Sequence, residues 1–165
     1  MRRYSIIVLL LLAATAAFGL PGAEGAQDLD LSRQPVQITA DRLEADGIAQ
    51  RMTFSGHVVA QQGDVTIYGQ ALTVFLLSGN REIDRVEISG DVRIVQGERV
   101  ATGQKGVYFH REGRIVLSGS PRVHQGADFI TGDEISVFLN EDRSVVSGQE
   151  EGRVKAVLHP QENGQ

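Results

Sequence analysis

A Ser-Gly pair recurs along this chain at Ser55-Gly56, Ser89-Gly90, Ser118-Gly119 and Ser147-Gly148. After each of the first three, a Gln-Gly pair places its glycine seven residues on, at Gly63, Gly97 and Gly126, and a further glycine follows thirteen residues after the first, at Gly69, Gly103 and Gly132. Ile38-Thr39-Ala40-Asp41 matches Ile130-Thr131-Gly132-Asp133 as a leading half unit. The successive intervals Ala40 to Gly69, Gly69 to Gly103 and Gly103 to Gly132 are 29, 34 and 29 residues, so a 29-residue unit carries one five-residue insertion around Leu77 to Arg85. Such self-similarity marks stacked supersecondary units, each of which buries its apolar face only against its neighbours.

Within a unit the hydrophobic period is two. Counted from the Ser-Gly glycine, positions −4, −2, +2 and +4 hold Met52, Phe54, Val58 and Ala60, then Val86, Ile88, Val92 and Ile94, then Ile115, Leu117, Pro121 and Val123. The alternate positions, such as Thr53, Ser55, His57, Glu87, Asp91, Arg93 and Arg122, are mostly polar, which is the alternation of a half-buried strand. A second strand type follows the third glycine, with Leu72, Val74 and Leu76 matched by Ile135, Val137 and Leu139; the middle copy has Gly106, Tyr108 and His110 there, and Phe75, Phe109 and Phe138 stand at one shared position. Helix is excluded because no segment after Leu20 sustains a 3.6-residue stripe, and each repeated glycine would cost a helix about 1 kcal/mol. Glycines at fixed spacing inside half-buried strands mark bends or close backbone approaches. The expected fold is all-β: a repeat-built open jelly roll or coiled antiparallel sheet, about four short bent strands per unit, with open edges at both chain ends.

Little chemistry accompanies this architecture. With no cysteine among its 165 residues, the chain has no disulfide framework, thiolate zinc site or cysteine nucleophile. Its net charge of −5 argues against generic nucleic-acid binding. His57, His110, His124 and His159 form no metal-binding spacing, no Gly-x-Ser-x-Gly elbow surrounds the Ser-Gly pairs, and carboxylates such as Asp41, Glu44 and Asp46 are those of a solvated β surface. Charges near Glu150-Glu151, Arg153 and Lys155 read as turn residues. No catalytic residue, metal or cofactor is therefore assigned. The apolar face has two readings at this point, a dry structural core or a trough that takes acyl chains at about 0.8 kcal/mol per buried methylene.

The N-terminus reads as an export signal. Arg2 and Arg3 precede a charge-free run from Ile6 to Leu20, and Pro21 to Ala26 form a stretch suited to cleavage. As a helix the run spans roughly 22 Å, short of a roughly 30 Å hydrocarbon core, so an uncleaved anchor is the less favoured reading. The expected organisation is a signal peptide over residues 1–26 and one domain over residues 27–165.

Gln34-Pro35-Val36-Gln37-Ile38-Thr39-Ala40-Asp41 and Thr53-Phe54-Ser55-Gly56-His57-Val58-Val59-Ala60-Gln61-Gln62-Gly63 resemble the OstA-like family of periplasmic lipopolysaccharide-transport proteins. Ile115 to Gly119, Ile130 to Ile135 and the closing Gly152 to Pro160 resemble it in the same order, so the likeness covers about Gln34 to Pro160. The resemblance implies a V-shaped jelly roll, not an enzyme and without a cofactor, whose apolar interior holds the lipid A acyl chains of lipopolysaccharide between inner and outer membranes. The interior positions are Val36, Ile38, Leu43, Phe54, Val58, Leu72, Val74, Ile88, Ile94, Tyr108, Leu117, Ile135 and Val137. It further implies head-to-tail self-association through open edges. An inner-membrane-anchored partner would pair near Val36 and Ile38, and the periplasmic domain of an outer-membrane translocon near Val154 to Leu158. The membrane-anchored relative of the same system, a ligand-free β-repeat scaffold and an exported jelly-roll hydrolase are the competing readings. Cleavage is checked by the intact mass of the exported protein, which is expected to begin at Ala26 or Gln27; a mass that retains Met1 to Leu20 would favour the anchored relative.

Overall fold

The structure is a computed structural model that describes residues 35–79, 82–138, 141, 143–148 and 152–159. The expected signal peptide, Leu139, the Glu150-Glu151 pair and Pro160 lie outside them. Every regular element among the described residues is a strand: β1 (Gln37–Thr39), β2 (Arg42–Asp46), β3 (Arg51–Gln62), β4 (Val65–Leu76), β5 (Ile83–Gln96), β6 (Arg99–Phe109), β7 (Arg114–Ser118), β8 (Arg122–Gln125), β9 (Asp128–Thr131), β10 (Glu134–Phe138), β11 (Arg143–Ser147) and β12 (Lys155–Val157). All pairings are antiparallel and join them into one sheet.

A crease divides that sheet into two layers. Register shifts fall between Ser55 and Val58 in β3, Tyr68 and Ala71 in β4, and Ser89 and Val92 in β5. On one side of this line the strand order is β2-β3-β4-β5-β6-β7-β10-β11; on the other it is β1-β3-β4-β5-β6-β8-β9-β12. The Ser-Gly pairs build the crease. Gly56, Gly90 and Gly119 have φ of 78°, 81° and 76°, and the residues after them, His57, Asp91 and Ser120, are also left-handed. A side chain at Gly90 would need a Cβ 2.6 Å from the Cβ of Gln70, so backbone conformation and crowding both demand glycine. On the neighbouring strand a Cβ at Gly103 would lie 2.9 Å from the Ser118 carbonyl oxygen and 3.0 Å from Leu117. Asp41, Gln104 and Asp133 donate backbone N–H groups across the crease to Gly56, Gly119 and Ser147, at 2.9, 3.2 and 2.8 Å.

The expectation of four short strands per unit is corrected here. β3 to β6 run 12, 12, 14 and 11 residues and pass through the crease unbroken. The chain divides at the crease on either side of these four, into β1 and β2 before β3, and into β7 and β8 and then β9 and β10 after β6. The division between β7 and β8 falls where Pro121 stands at the position of Val58 and Val92, and proline has no N–H to continue a ladder.

The Gln-Gly pairs make the opposite ends of the strands. Gly63, Gly97 and Gly126 have φ of 58°, 55° and 58° and begin two-residue hairpins that pair Gln62 with Val65, Gln96 with Arg99, and Gln125 with Asp128. On the outer face of the first layer, cross-strand partners alternate as Arg51, Phe75, Arg85, Phe109, Arg114, Phe138 and Arg143. The guanidinium carbons of Arg85, Arg114 and Arg143 lie 3.7, 4.6 and 4.1 Å from the ring centroids of Phe75, Phe109 and Phe138. Such stacking contributes about 0.5–1 kcal/mol per pair and shields ring faces from water. This is why the repeat keeps phenylalanine on a face that otherwise meets solvent.

Leu117 is fully buried, whereas Leu43 is 56% exposed. Leu117→Ala is expected to cost about 2–5 kcal/mol and Leu43→Ala under about 1 kcal/mol, measured by urea unfolding.

Candidate functional site

The cross-strand registers place three apolar rows on the inner faces. In the first layer one row runs Leu43, Phe54, Leu72, Ile88, Gly106, Leu117, Ile135 and Val146, and the next runs Ala45, Met52, Val74, Val86, Tyr108, Ile115, Val137 and Ser144. In the second layer the row is Ile38, Ala60, Ile67, Ile94, Ala101, Val123, Ile130 and Ala156. Both layers feed one core cluster, in which Val58 and Val92 flank the crease. Side chains of the two layers meet at the crease, where a Cβ at Gly106 in the first layer would lie 4.0 Å from Val92.

Along each row, burial is greatest in the middle and falls away at the ends. Leu72, Val74, Ile88, Ile94, Tyr108, Leu117, Ile135 and Val137 are all no more than 8% exposed, and Val58 is 1% exposed. Phe54 and Ile38 pack against this core from part-buried positions. Val36 and Leu43 do not share its burial: they are 42% and 56% exposed at the N-terminal edge, where no described strand lies beyond β1 or β2. At the other end Val154 and Leu158 are 45% and 67% exposed beside β12. The apolar interior thus runs from one sheet edge to the other and reaches the surface at both. The interior positions named from the sequence left out Val65, Ile67 and Ala101, the first two of which carry a signal in their mutual two-residue spacing.

A fourth row, beyond the apolar one in the second layer, is mainly polar: Gln62, Val65, Gln96, Arg99, Gln125 and Asp128. Gln62 is 2% exposed. Gln96 donates its Nε2–H to Asp64 at 3.3 Å, and Arg99 donates its Nε–H to the Gln125 side-chain oxygen at 3.0 Å. The Gln-Gly spacing signalled these turns in the sequence, but not that their glutamines share the inner face.

Among the described residues Tyr108 brings a phenol into the apolar rows. The Tyr108 hydroxyl lies 3.2 Å from His110 Nδ1, and burial pushes its pKa above the ordinary tyrosine value. On the outer face the Glu87 carboxyl is held below the usual carboxylate range by hydrogen bonds from Arg85 and, against the opposing effect of burial, from Lys105. Histidine–carboxylate pairs fasten both edges: His57 Nδ1 lies 2.7 Å from Asp41 beside β2, and His159 meets Asp128 through its backbone N–H at 2.9 Å and its ring at 2.8 Å. No cluster of three or more histidine and carboxylate groups with metal-binding geometry occurs among the described residues.

A family model described as LptA/(LptD N-terminal domain) LPS transport protein matches residues 37–143. The chain belongs to this family. Its members are transport and binding proteins, not enzymes. An uncharacterized protein of Rhizobium meliloti (strain 1021) is 36% identical over 104 residues, covering 58% of this chain and 56% of the relative, so the chain spans about half the length of that curated relative. Among solved structures, LptH of Pseudomonas aeruginosa, described as the LptA-homologous periplasmic component of the lipopolysaccharide transport device, superposes with a TM-score of 0.66 at 21% identity, over 77% of this chain and 96% of that one. The fold is accordingly the open jelly roll of LptA-like proteins.

The His159 contacts hold the Asp128 carboxyl below its ordinary value, by the side-chain hydrogen bond first and the backbone one second. A depressed folded pKa means that this contribution is present above the unfolded carboxylate pKa and disappears as pH falls through the folded one. Hydrogen exchange at Ala156 and Val157, corrected for the intrinsic rate, is therefore expected to quicken in acid below the carboxylate range. Asp128→Asn is expected to produce the same loosening of β12 at neutral pH.

Proposed function

We propose that this protein is an exported, passive carrier of lipopolysaccharide across the periplasm, from the inner to the outer membrane. The domain after residue 26 is the carrier. The observation that carries the reading is the apolar interior, continuous between the two sheet edges and open at both, in a chain of the LPS transport family. Acyl chains are the ligand that such an interior suits, since every methylene moved out of water contributes about 0.8 kcal/mol. The sugar headgroup stays at the lip, where polar side chains begin.

The edges supply the assembly. Among the described residues β1 and β2 pair only with β3, β11 only with β10, and β12 only with β9, so backbone N–H and C=O groups face outward at both ends. An edge of this kind templates pairing with another strand. Because the two edges differ, the contact between copies is heterologous, and without a rotation that closes a ring it yields a chain of subunits with aligned interiors. The inner-membrane-anchored partner would add to the β1–β2 edge, and a further copy or the outer-membrane translocon to the β11–β12 edge. The sequence has no phosphate-binding loop with its lysine, so the driving energy comes from an inner-membrane ATPase complex.

The protein is purified from the periplasm after expression of the full chain, incubated with lipopolysaccharide or with phospholipid vesicles, and examined by native mass spectrometry. Selective retention of lipopolysaccharide is expected. Val74→Glu or Val137→Glu is expected to lower it at least tenfold while His57→Ala leaves it unchanged, with circular dichroism first confirming the fold, since a buried unpaired carboxylate also destabilises. Retention of neither lipid by the folded, unaltered protein would replace the carrier with a ligand-free scaffold.

A further inference from the structure

The glutamines before the hairpin glycines recur at the same place in three units, and the hairpins do not explain them. A two-residue turn of this type needs glycine at its first position and is indifferent to the residue before it. That residue faces inward here, in register with Val65 and next to the row of Ala60, Ile67, Ile94 and Ala101. For buried Gln62 and half-buried Gln96 this is a costly place for an amide, because each polar group that leaves water must be matched by a hydrogen bond, while Gln125 at the end of the row is exposed. Valine serves the same row at Val65. Gln62, Gln96 and Gln125, joined by Arg99, nevertheless form a polar strip along one lip of the apolar interior.

The chemistry of the strip is specific. An amide side chain offers two N–H donors and a carbonyl acceptor, so it matches groups that both give and take hydrogen bonds. Sugar hydroxyls and N-acyl amides are such groups. The phosphocholine headgroup and ester carbonyls of a glycerophospholipid offer acceptors alone. The carboxylates that flank the strip, Asp64 on Gln96 and Asp128 beside Gln125, add acceptors for sugar hydroxyls, while Arg99 supplies one cation for a phosphate attached to a sugar.

We propose that Gln96, Arg99 and Gln125, with Gln62 behind them, form the headgroup subsite of the carrier and select an acylated, phosphorylated sugar over a phosphocholine lipid. This rests on the carrier reading above and adds to it what discriminates between lipids that have similar acyl chains. The interior binds chains of either class, and the strip reads what the chains are attached to.

The test compares the unaltered protein with Gln96→Leu/Gln125→Leu, which keeps side-chain size and removes the amides, using purified lipopolysaccharide and phosphatidylcholine vesicles as competing probes. Loss of two hydrogen bonds is expected to lower lipopolysaccharide retention about tenfold or more with phosphatidylcholine retention unchanged. Arg99→Gln is expected to weaken lipopolysaccharide with the amides in place. Should the double variant unfold, Gln125→Leu alone, at an exposed position, carries the same expectation at about a few-fold loss. Unchanged selectivity in a folded variant, or an equal fall for both lipids, overturns the subsite and leaves the carrier standing. Retention of neither probe by the unaltered protein overturns the carrier reading and the subsite with it.

Discussion

Everything in this fold depends on a line of left-handed backbone. Gly56-His57, Gly90-Asp91 and Gly119-Ser120 each place two successive residues at positive φ, at matching positions across the sheet. Non-glycine residues there cost about 1–2 kcal/mol, and the three that accept it are histidine, aspartate and serine, whose short polar chains tolerate the conformation better than branched ones. The bulges that result turn every strand through the same corner. Without them the apolar rows would lie on one face of a flat sheet, open to water and to aggregation. With them, the sheet folds along its own midline and its two halves cover each other.

That geometry explains why the interior is a channel-shaped core. Because the repeats add strands sideways, side chains at equivalent positions stack into rows across the sheet, and the rows end only where the strands end. Closure into a barrel would have sealed the rows and satisfied the edge hydrogen bonds together. The sheet instead leaves β1, β2, β11 and β12 with one neighbour each among the described residues. Exposed Leu43 and Leu158 at the two extremes are a consequence of the same openness. Apolar continuity and backbone pairing therefore meet at the same surfaces, so the proposed contact between subunits would join both the sheet and the interior.

Much of this was legible in the amino-acid order. The 29-residue period, the period-two alternation around Ile88 and Leu117, and the fixed glycines lead directly to strands, corners and an inward set. The strand lengths were not legible, because a glycine read locally marks an interruption, whereas β3 to β6 bend through theirs with the ladder resumed on the far side. Val36 and Leu43 have the alternation of interior residues, but exposure depends on whether another strand lies alongside, and no local pattern carries that.

What the sequence alone determined is the face each side chain takes, since alternation in a strand is set by covalent geometry, together with where the backbone must turn left-handed. What only the tertiary structure decided is which units lie side by side and how the two layers close. Cross-strand register converts separate residues such as Gln62, Gln96 and Gln125 into one row, and it does so through hydrogen bonds between backbone segments some thirty residues apart. The same long-range pairing makes two ends of the sheet into edges, a property of the assembled sheet that no single strand possesses.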